Sequence, residues 1–308
     1  MTKPLVLMDH DGGVDDYLSL MLLLTMDTLH PLGVVVTPAD CYIQSAVRAS
    51  RKILDLMGHT HMPVAQSTVR GLNPFPHLYR RDSCIIDHLP ILNEVDTLQT
   101  ALLPESGQEF MAAILLEAPR PVTLLVTGPL TTVAAALDQD PSVAHKIARI
   151  VWMGGALGVP GNVERSYEPG QDGTAEWNAY WDPLAAEQVW QTQIPIVLCP
   201  LDLTNQVPVT SHFVRQLARQ RRFALSDLAG QCYALMIPQQ GYFWDVLATA
   251  YLARPEIYQV QEVETVIVPH GSSQGRTLLH PGGRRIHVLA WVDIEAFQSY
   301  LLEQWASS

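Results

Sequence analysis

Short apolar runs alternate along the chain with longer stretches in which apolar positions recur every three to four residues. The first pattern reads as buried strand and the second as helix. Strands are predicted over 5–8, 30–37, 62–65, 122–126, 147–153 and 194–198. Helices are predicted over 15–25, 43–56, 107–117, 131–137, 183–192, 211–219, 224–236 and 245–254. From about residue 259, strand-like pieces at 263–268 and 287–292 surround a turn-rich loop, and a helix closes the chain. Strand-then-helix alternation predicts an α/β fold with a mainly parallel central sheet flanked by helices. No repeat, linker or composition shift divides the sequence, so a single domain over 1–308 is expected. Such sheets bind ligands beyond the carboxyl ends of their strands. The loops to watch are therefore 9–16, 37–41, 127–132, 153–178 and 199–206.

Composition narrows the field. The 308 residues are 48% hydrophobic and 16% charged, which describes a packed globular chain. A net charge of −12 argues against nucleic acid and against anionic membranes as partners. It favours a neutral or cationic ligand, or a metal. The apolar run before Asp9 is too short for a signal-peptide core, and none approaches the ~20 residues that span a bilayer. Cys41, Cys84, Cys199 and Cys232 lie far apart without a CxxC pair, so they read as buried small hydrophobes in a reducing, cytoplasmic setting.

Polar residues interrupt the apolar pattern in four informative places. The first is Asp9-His10-Asp11-Gly12-Gly13-Val14-Asp15-Asp16, between the first strand and the first helix. Clustered carboxylates repel one another and resist desolvation, and a divalent cation relieves both costs. Asp11 and Asp16 can face one ion if the two glycines turn the backbone tightly. Oxygen-only donors suit Ca²⁺ or Mg²⁺. His10 points away from its acidic neighbours by strand alternation and reads as structural. The second place is Thr127-Gly128-Pro129-Leu130-Thr131-Thr132, where a strand-end carbonyl can add a ligand or a threonine can simply cap the next helix.

The third place is 173–183, where Glu176 and Asn178, two apart, would point the same way in extended chain and suit a polyol such as ribose. Asp182-Pro183 reads as an ordinary helix start. The fourth is Gly241-Tyr242-Phe243-Trp244-Asp245, an aromatic run that ends in an aspartate at a helix start. It reads as a stacking ring beside a metal-binding carboxylate, or as a buried anchor with a capping Asp. No HExxH, GxSxG, Walker A or GxGxxG motif is present.

In this order, these segments resemble the nucleoside hydrolases, which cleave the N-glycosidic bond of ribonucleosides. Asp9–Asp16 matches that family's DxDxGxDD loop. Thr127–Thr131 resembles its Thr-Gly-x-Leu-Thr strand end, and Gly154-Gly155, Gly161-Asn162 and 175–183 resemble its ribose-binding stretch. Asp245, leading into Ala248-Thr249-Ala250-Tyr251, resembles its late metal-binding aspartate. The matches run from residue 5 to about 255.

The chain is most similar to the purine-preferring branch, which has Trp before the late Asp where the common branch has His; here it is Trp244. Ala39-Asp40-Cys41 and Asn73-Pro74-Phe75-Pro76 also resemble that branch. Two positions depart from its pattern: Tyr79 stands where Trp is usual, and Thr132 where Asn is common.

The resemblance implies a Rossmann-like nucleoside hydrolase fold and Ca²⁺ held by Asp11, Asp16, the Thr127 carbonyl and Asp245. It assigns the ribose hydroxyls to Asp15, Asn162, Glu176 and Asn178, and the role of general base to Asp11. The leaving purine is expected against Tyr79, Trp244 and Asp40, and Asp9, at the strand end, is expected to support the carboxylate cluster. The resemblance also implies a cytosolic homodimer acting on inosine, adenosine or guanosine. Two rival readings use the same residues: a DxD-type Mg²⁺-dependent phosphatase, and a nucleoside-binding protein without catalysis. The phosphatase leaves Asp15-Asp16 and the Glu176/Asn178 pair unexplained.

Overall fold

The computed structural model describes residues 2–306. Its strands are β1 (Leu5–His10), β2 (His30–Val36), β3 (Val64–Gln66), β4 (Val122–Val126), β5 (Ile147–Met153), β6 (Ile196–Cys199), β7 (Tyr258–Ile267), β8 (Thr277–Leu279) and β9 (Arg284–Val292). They form one sheet in the order β3-β2-β1-β4-β5-β6-β9-β7-β8. Pairing is parallel from β3 through to β9, and β7 then runs antiparallel to both β9 and β8.

Successive residues of the central strands feed two different cores, because side chains alternate across the sheet. Val6 and Met8 join the core under helices Val14–Leu24, Ile43–Leu56, Ala224–Met236, Asp245–Tyr251 and Ile294–Trp305. Leu5 and Leu7 join the core under Gly107–Glu117, Thr131–Gln139 and Pro183–Trp190. Burial on both faces is why these strands read as continuous apolar runs. Among the described residues no helix is long and apolar enough to cross a membrane.

The predicted elements recur with instructive differences at their ends. β1 runs two residues past its apolar stretch, since Asp9 still pairs with Val35 and Val126, and His10 with Val36. Polar residues can continue a ladder that hydrophobic periodicity does not register. The short helices His77–Arg80, Asp82–Asp87, Trp177–Trp181 and Leu201–Thr204 have no counterpart in the sequence reading. Each is too short to display a helical period.

Topology fixes where a site can form. The chain leaves β1 toward β2 and β3 on one side, and resumes with β4 on the other. A crevice opens at such a reversal beyond the carboxyl ends of the strands. The loops after β1 and β4 flank that crevice.

Candidate active site

The floor of the crevice begins with a turn that requires glycine. Gly12 has φ +81°, and a Cβ there would lie 2.7 Å from Cys41 Cβ and 2.8 Å from Ala46 Cβ. The next amide, Gly13 N–H, donates to Asp16 Oδ2 at 2.8 Å and opens helix Val14–Leu24. Asp16 Oδ1 accepts from the Thr127 hydroxyl at 2.5 Å, which ties the β1 loop to the β4 loop. The β4 loop packs closely: a Cβ on Gly128 would sit 2.7 Å from Asp11 Cβ. The buried Trp152 indole of β5 holds that loop in turn, donating to the Gly128 carbonyl at 2.9 Å.

Asp15 reaches across to another helix. Its Oδ2 accepts from Asp245 N–H at 2.6 Å and from Val246 N–H at 3.3 Å. It thereby caps helix Asp245–Tyr251 and brings Asp245 beside the first loop. Asp15 Oδ1 is buried and faces the buried Tyr233 hydroxyl. Asp40 donates its amide to Asp11 Oδ2 at 3.2 Å, and its own Oδ1 is buried without a partner among the described residues. Asp9 lies behind the floor and accepts from the Thr37 hydroxyl at 2.7 Å. His10 turns the other way and meets Ser50 at 3.0 Å.

Glu176 and Asn178 correct one expectation. The chain is not extended there. Glu176 is the N-cap of helix Trp177–Trp181, and its carboxylate accepts from the amides of Asn178 and Ala179 at 2.9 and 3.2 Å. A carboxylate at a helix start is favoured by the unpaired amides and the dipole, which overrides the two-residue alternation. Glu176 also accepts from Gly155 N–H at 2.9 Å. Asn178 Nδ2 donates to the carbonyls of Thr127 at 3.0 Å and Met153 at 3.1 Å. The pair still converges on the crevice, through capping rather than strand geometry.

The electrostatics of the floor are those of anions removed from water. Burial pushes the Asp11 carboxyl well above its usual range, and the charges of Asp16 and Asp40 add to the shift. Burial and the neighbouring Asp16 and Asp15 do the same to Asp245. Asp15 is pushed up to about 7 by burial, against the two amides it caps. Burial raises Glu176 to about 7 despite its backbone donors, and Asp9 to about 8 despite Thr37.

A hard cation fits this donor set, since its charge would offset both the desolvation and the mutual repulsion. Asp11, Asp16 and Asp245 offer carboxylate oxygens and Thr127 a carbonyl. Among the described residues, no three His, Cys, Asp or Glu side chains are already drawn together as a finished metal cage. The hydrogen bonds of Asp16 to Gly13 and Thr127 hold it in its present place.

Above the floor the cavity has a volume of about 600 Å³, a size suited to a small organic ligand. All eleven sequence-predicted site residues line it: Asp11, Asp15, Asp16, Asp40, Tyr79, Thr127, Asn162, Glu176, Asn178, Trp244 and Asp245. Asn162 accepts from Trp177 N–H at 3.0 Å through its side-chain oxygen.

Its upper walls are aromatic. Phe75 stacks on Trp177 with centroids 5.0 Å apart and planes 29° apart. Tyr79 meets Trp177 and Tyr167 edge-on, at 6.2 and 5.7 Å. Tyr242 and Trp244 form a second aromatic pair at 5.7 Å. Tyr79 is thus packed into a cluster, and its hydroxyl donates to Glu164.

Sequence reasoning misses Glu164, Tyr167, Trp177 and Arg81, which also line the cavity, and names Tyr242 only within its aromatic run. The irregular stretch 154–176 carries two of them. Its lack of periodicity was a signal for the segment, though not for individual side chains.

Comparison with known proteins agrees with this geometry. Residues 6–299 match the family model described as inosine-uridine preferring nucleoside hydrolase. A solved structure of an inosine-uridine preferring nucleoside hydrolase from Bacillus anthracis superposes with a TM-score of 0.95 at 43% identity, covering 99% of this chain and 100% of that one. The pyrimidine-specific ribonucleoside hydrolase RihA of Shewanella woodyi is 31% identical over 301 residues, 91% of this chain and 88% of that protein. A purine-preferring ribonucleoside hydrolase from Gardnerella vaginalis shares the fold, with a TM-score of 0.80 at 23% identity and 98% coverage of both chains. The chain belongs to the nucleoside hydrolase family.

Proposed function

We propose that this protein is a Ca²⁺-dependent hydrolase of purine ribonucleosides, releasing free base and ribose. The observation that carries the reading is one cavity with a floor of buried carboxylates and walls of aromatic rings. Carboxylates suit a sugar whose anomeric carbon becomes cationic, and aromatic rings suit a flat leaving base.

Asp11 takes a proton from the attacking water as the water approaches C1′. The transition state resembles an oxocarbenium ion, and the surrounding carboxylates stabilise its charge. Asp15 binds a ribose hydroxyl, as do Asn162, Glu176 and Asn178, all of which line the cavity. Together they fix the ring relative to the water. Bound Ca²⁺, held by Asp11, Asp16, the Thr127 carbonyl and Asp245, would offset the clustered negative charge and make water more acidic.

The leaving base stacks on Trp244 and Tyr79, with Asp40 hydrogen-bonding and orienting it. Among the described residues, no histidine lines the cavity. Departure of the base therefore relies on stacking and on its own ring nitrogens taking up a proton. A bicyclic purine presents more surface to those rings than a pyrimidine does.

One observation favours a different base. RihA of Shewanella woodyi is described as pyrimidine-specific. Ribose release from inosine, adenosine, guanosine, uridine and cytidine, with Ca²⁺ and with excess chelator, separates the readings. Chelator-sensitive release from the three purine nucleosides, ahead of the pyrimidines, is expected. Preference for uridine or cytidine would favour the pyrimidine reading, and ribose release insensitive to chelator would remove the metal.

A further inference from the structure

Segment 154–176 has no regular secondary structure, yet one of its exposed side chains is held from two sides. The Tyr79 hydroxyl donates to Glu164 Oε1, and the Trp177 indole N–H donates to Glu164 Oε2 at 3.2 Å. These donors come from separate segments, so together they fix both the position and the plane of the carboxylate. Among the described residues no salt bridge involves Glu164. The adjacent Arg165 donates instead to the Asp172 carbonyl at 2.7 Å.

Each carboxylate oxygen accepts about two hydrogen bonds. Both oxygens of Glu164 are therefore oriented by one donor and keep room for another. Glu164 lines the same cavity as Asp11 and Trp244, within the aromatic cluster of Tyr79, Tyr167 and Trp177.

We propose that Glu164 is a specificity-determining residue that accepts N–H donors from the edge of the nucleobase. It selects nucleosides whose base carries a ring N–H or an exocyclic amino group. Guanine, with adjacent ring N–H and amino donors, matches a carboxylate most fully. The inference rests on the hydrolase reading above and adds which base edge the cavity recognises. A fixed acceptor favours a ligand that brings the matching donor over one that leaves the carboxylate to water.

The test compares kcat/KM for inosine and guanosine with that for purine riboside, whose base has no N–H on its six-membered ring. The ratios are measured in the wild type, E164A, E164Q and Y79F. All three substrates see the same preparation, so partial misfolding of a variant cancels in the ratios. Intrinsic differences in leaving-group quality cancel when ratios are compared between variants.

The inosine to purine riboside ratio should fall about tenfold in E164A, in keeping with the loss of a charge-assisted hydrogen bond. E164Q and Y79F should lower it less, since one keeps an acceptor and the other loosens the carboxylate. An unchanged ratio in both E164A and E164Q overturns the assignment while leaving the hydrolase reading standing. Absence of any nucleoside turnover in the wild type overturns that reading instead, and this inference with it.

Discussion

The floor and the rim of the cavity are built by different means. The floor residues leave the carboxyl ends of β1 and β4 or start helices, and their backbone amides and hydroxyls are spent on one another. The rim comes from short helices and irregular segments, joined by ring contacts and side-chain hydrogen bonds such as Tyr79 to Glu164. A site that must place reacting groups to a fraction of an ångström benefits from rigid elements. A site that must suit a particular base can vary in loops without disturbing the sheet. On the proposed reading, bond cleavage belongs to the floor and base selection to the rim.

The largest effect should come from the floor. Asp11→Asn removes the proposed general base and keeps nearly the same volume. It should lower kcat on inosine by about 10³-fold or more, toward the upper end of general-base contributions. Calorimetry on the variant should still detect inosine binding. A variant with near wild-type turnover would dissociate the floor from catalysis.

A rim substitution should act differently. Trp244→Ala should cost about 1–3 kcal/mol of stacking with the base. That loss should appear in kcat/KM for purine nucleosides and fall less heavily on pyrimidines. An equal loss on both classes would mean that the ring does not select the base.

Two smaller effects probe the floor's architecture apart from turnover. Gly12→Ala places a methyl against Cys41 and Ala46 at a positive φ. It should destabilise the fold by upward of about 2 kcal/mol, from left-handed backbone strain and the clash combined. Thermal unfolding measures this directly.

Glu176→Gln should change the pH dependence of stability in chelator. Burial raises the folded Glu176 to about 7, above the ~4.3 of an unfolded glutamate. The folded state then holds the proton more tightly. The contribution is fully present below the unfolded pKa and is lost as pH rises through about 7. Wild-type stability should therefore decline relative to the variant between about pH 4 and 7. A difference that stays flat with pH would mean Glu176 is ionised as easily in the fold as in the unfolded chain.

The same comparison shows what the sequence reveals. The strand–helix alternation and the floor are legible because they follow local rules: the apolar runs of β1 and β4 give way to Asp9 and Thr127, and glycines turn the chain between carboxylates, whereas the order of the strands is a tertiary fact. Asp245 was recognised as a helix start, but its link to Asp15, 230 residues away, is a tertiary fact. Glu176 and Asn178 were assigned to the site through the wrong local geometry, since strand alternation and helix capping place the same two residues differently. Glu164 and Trp177 were missed because a carboxylate in an irregular loop acquires meaning only from the tyrosine and tryptophan that hold it. The sequence offers Tyr79 as a stacking ring, and its edge-on packing against Trp177 and Tyr167 lies beyond any periodicity.

The most direct test is internal competition. Equimolar inosine and uridine are incubated with the protein and Ca²⁺, and hypoxanthine and uracil are quantified over time against a parallel reaction in excess chelator. The ratio of early rates equals the ratio of kcat/KM values, whatever fraction of the protein is active. Hypoxanthine should appear several-fold faster, since the larger purine gains more of the ~1–3 kcal/mol that stacking contributes per base, and both products should cease with chelator. Uracil leading, or release that continues without the metal, would contradict a floor that needs calcium and a rim that selects purines.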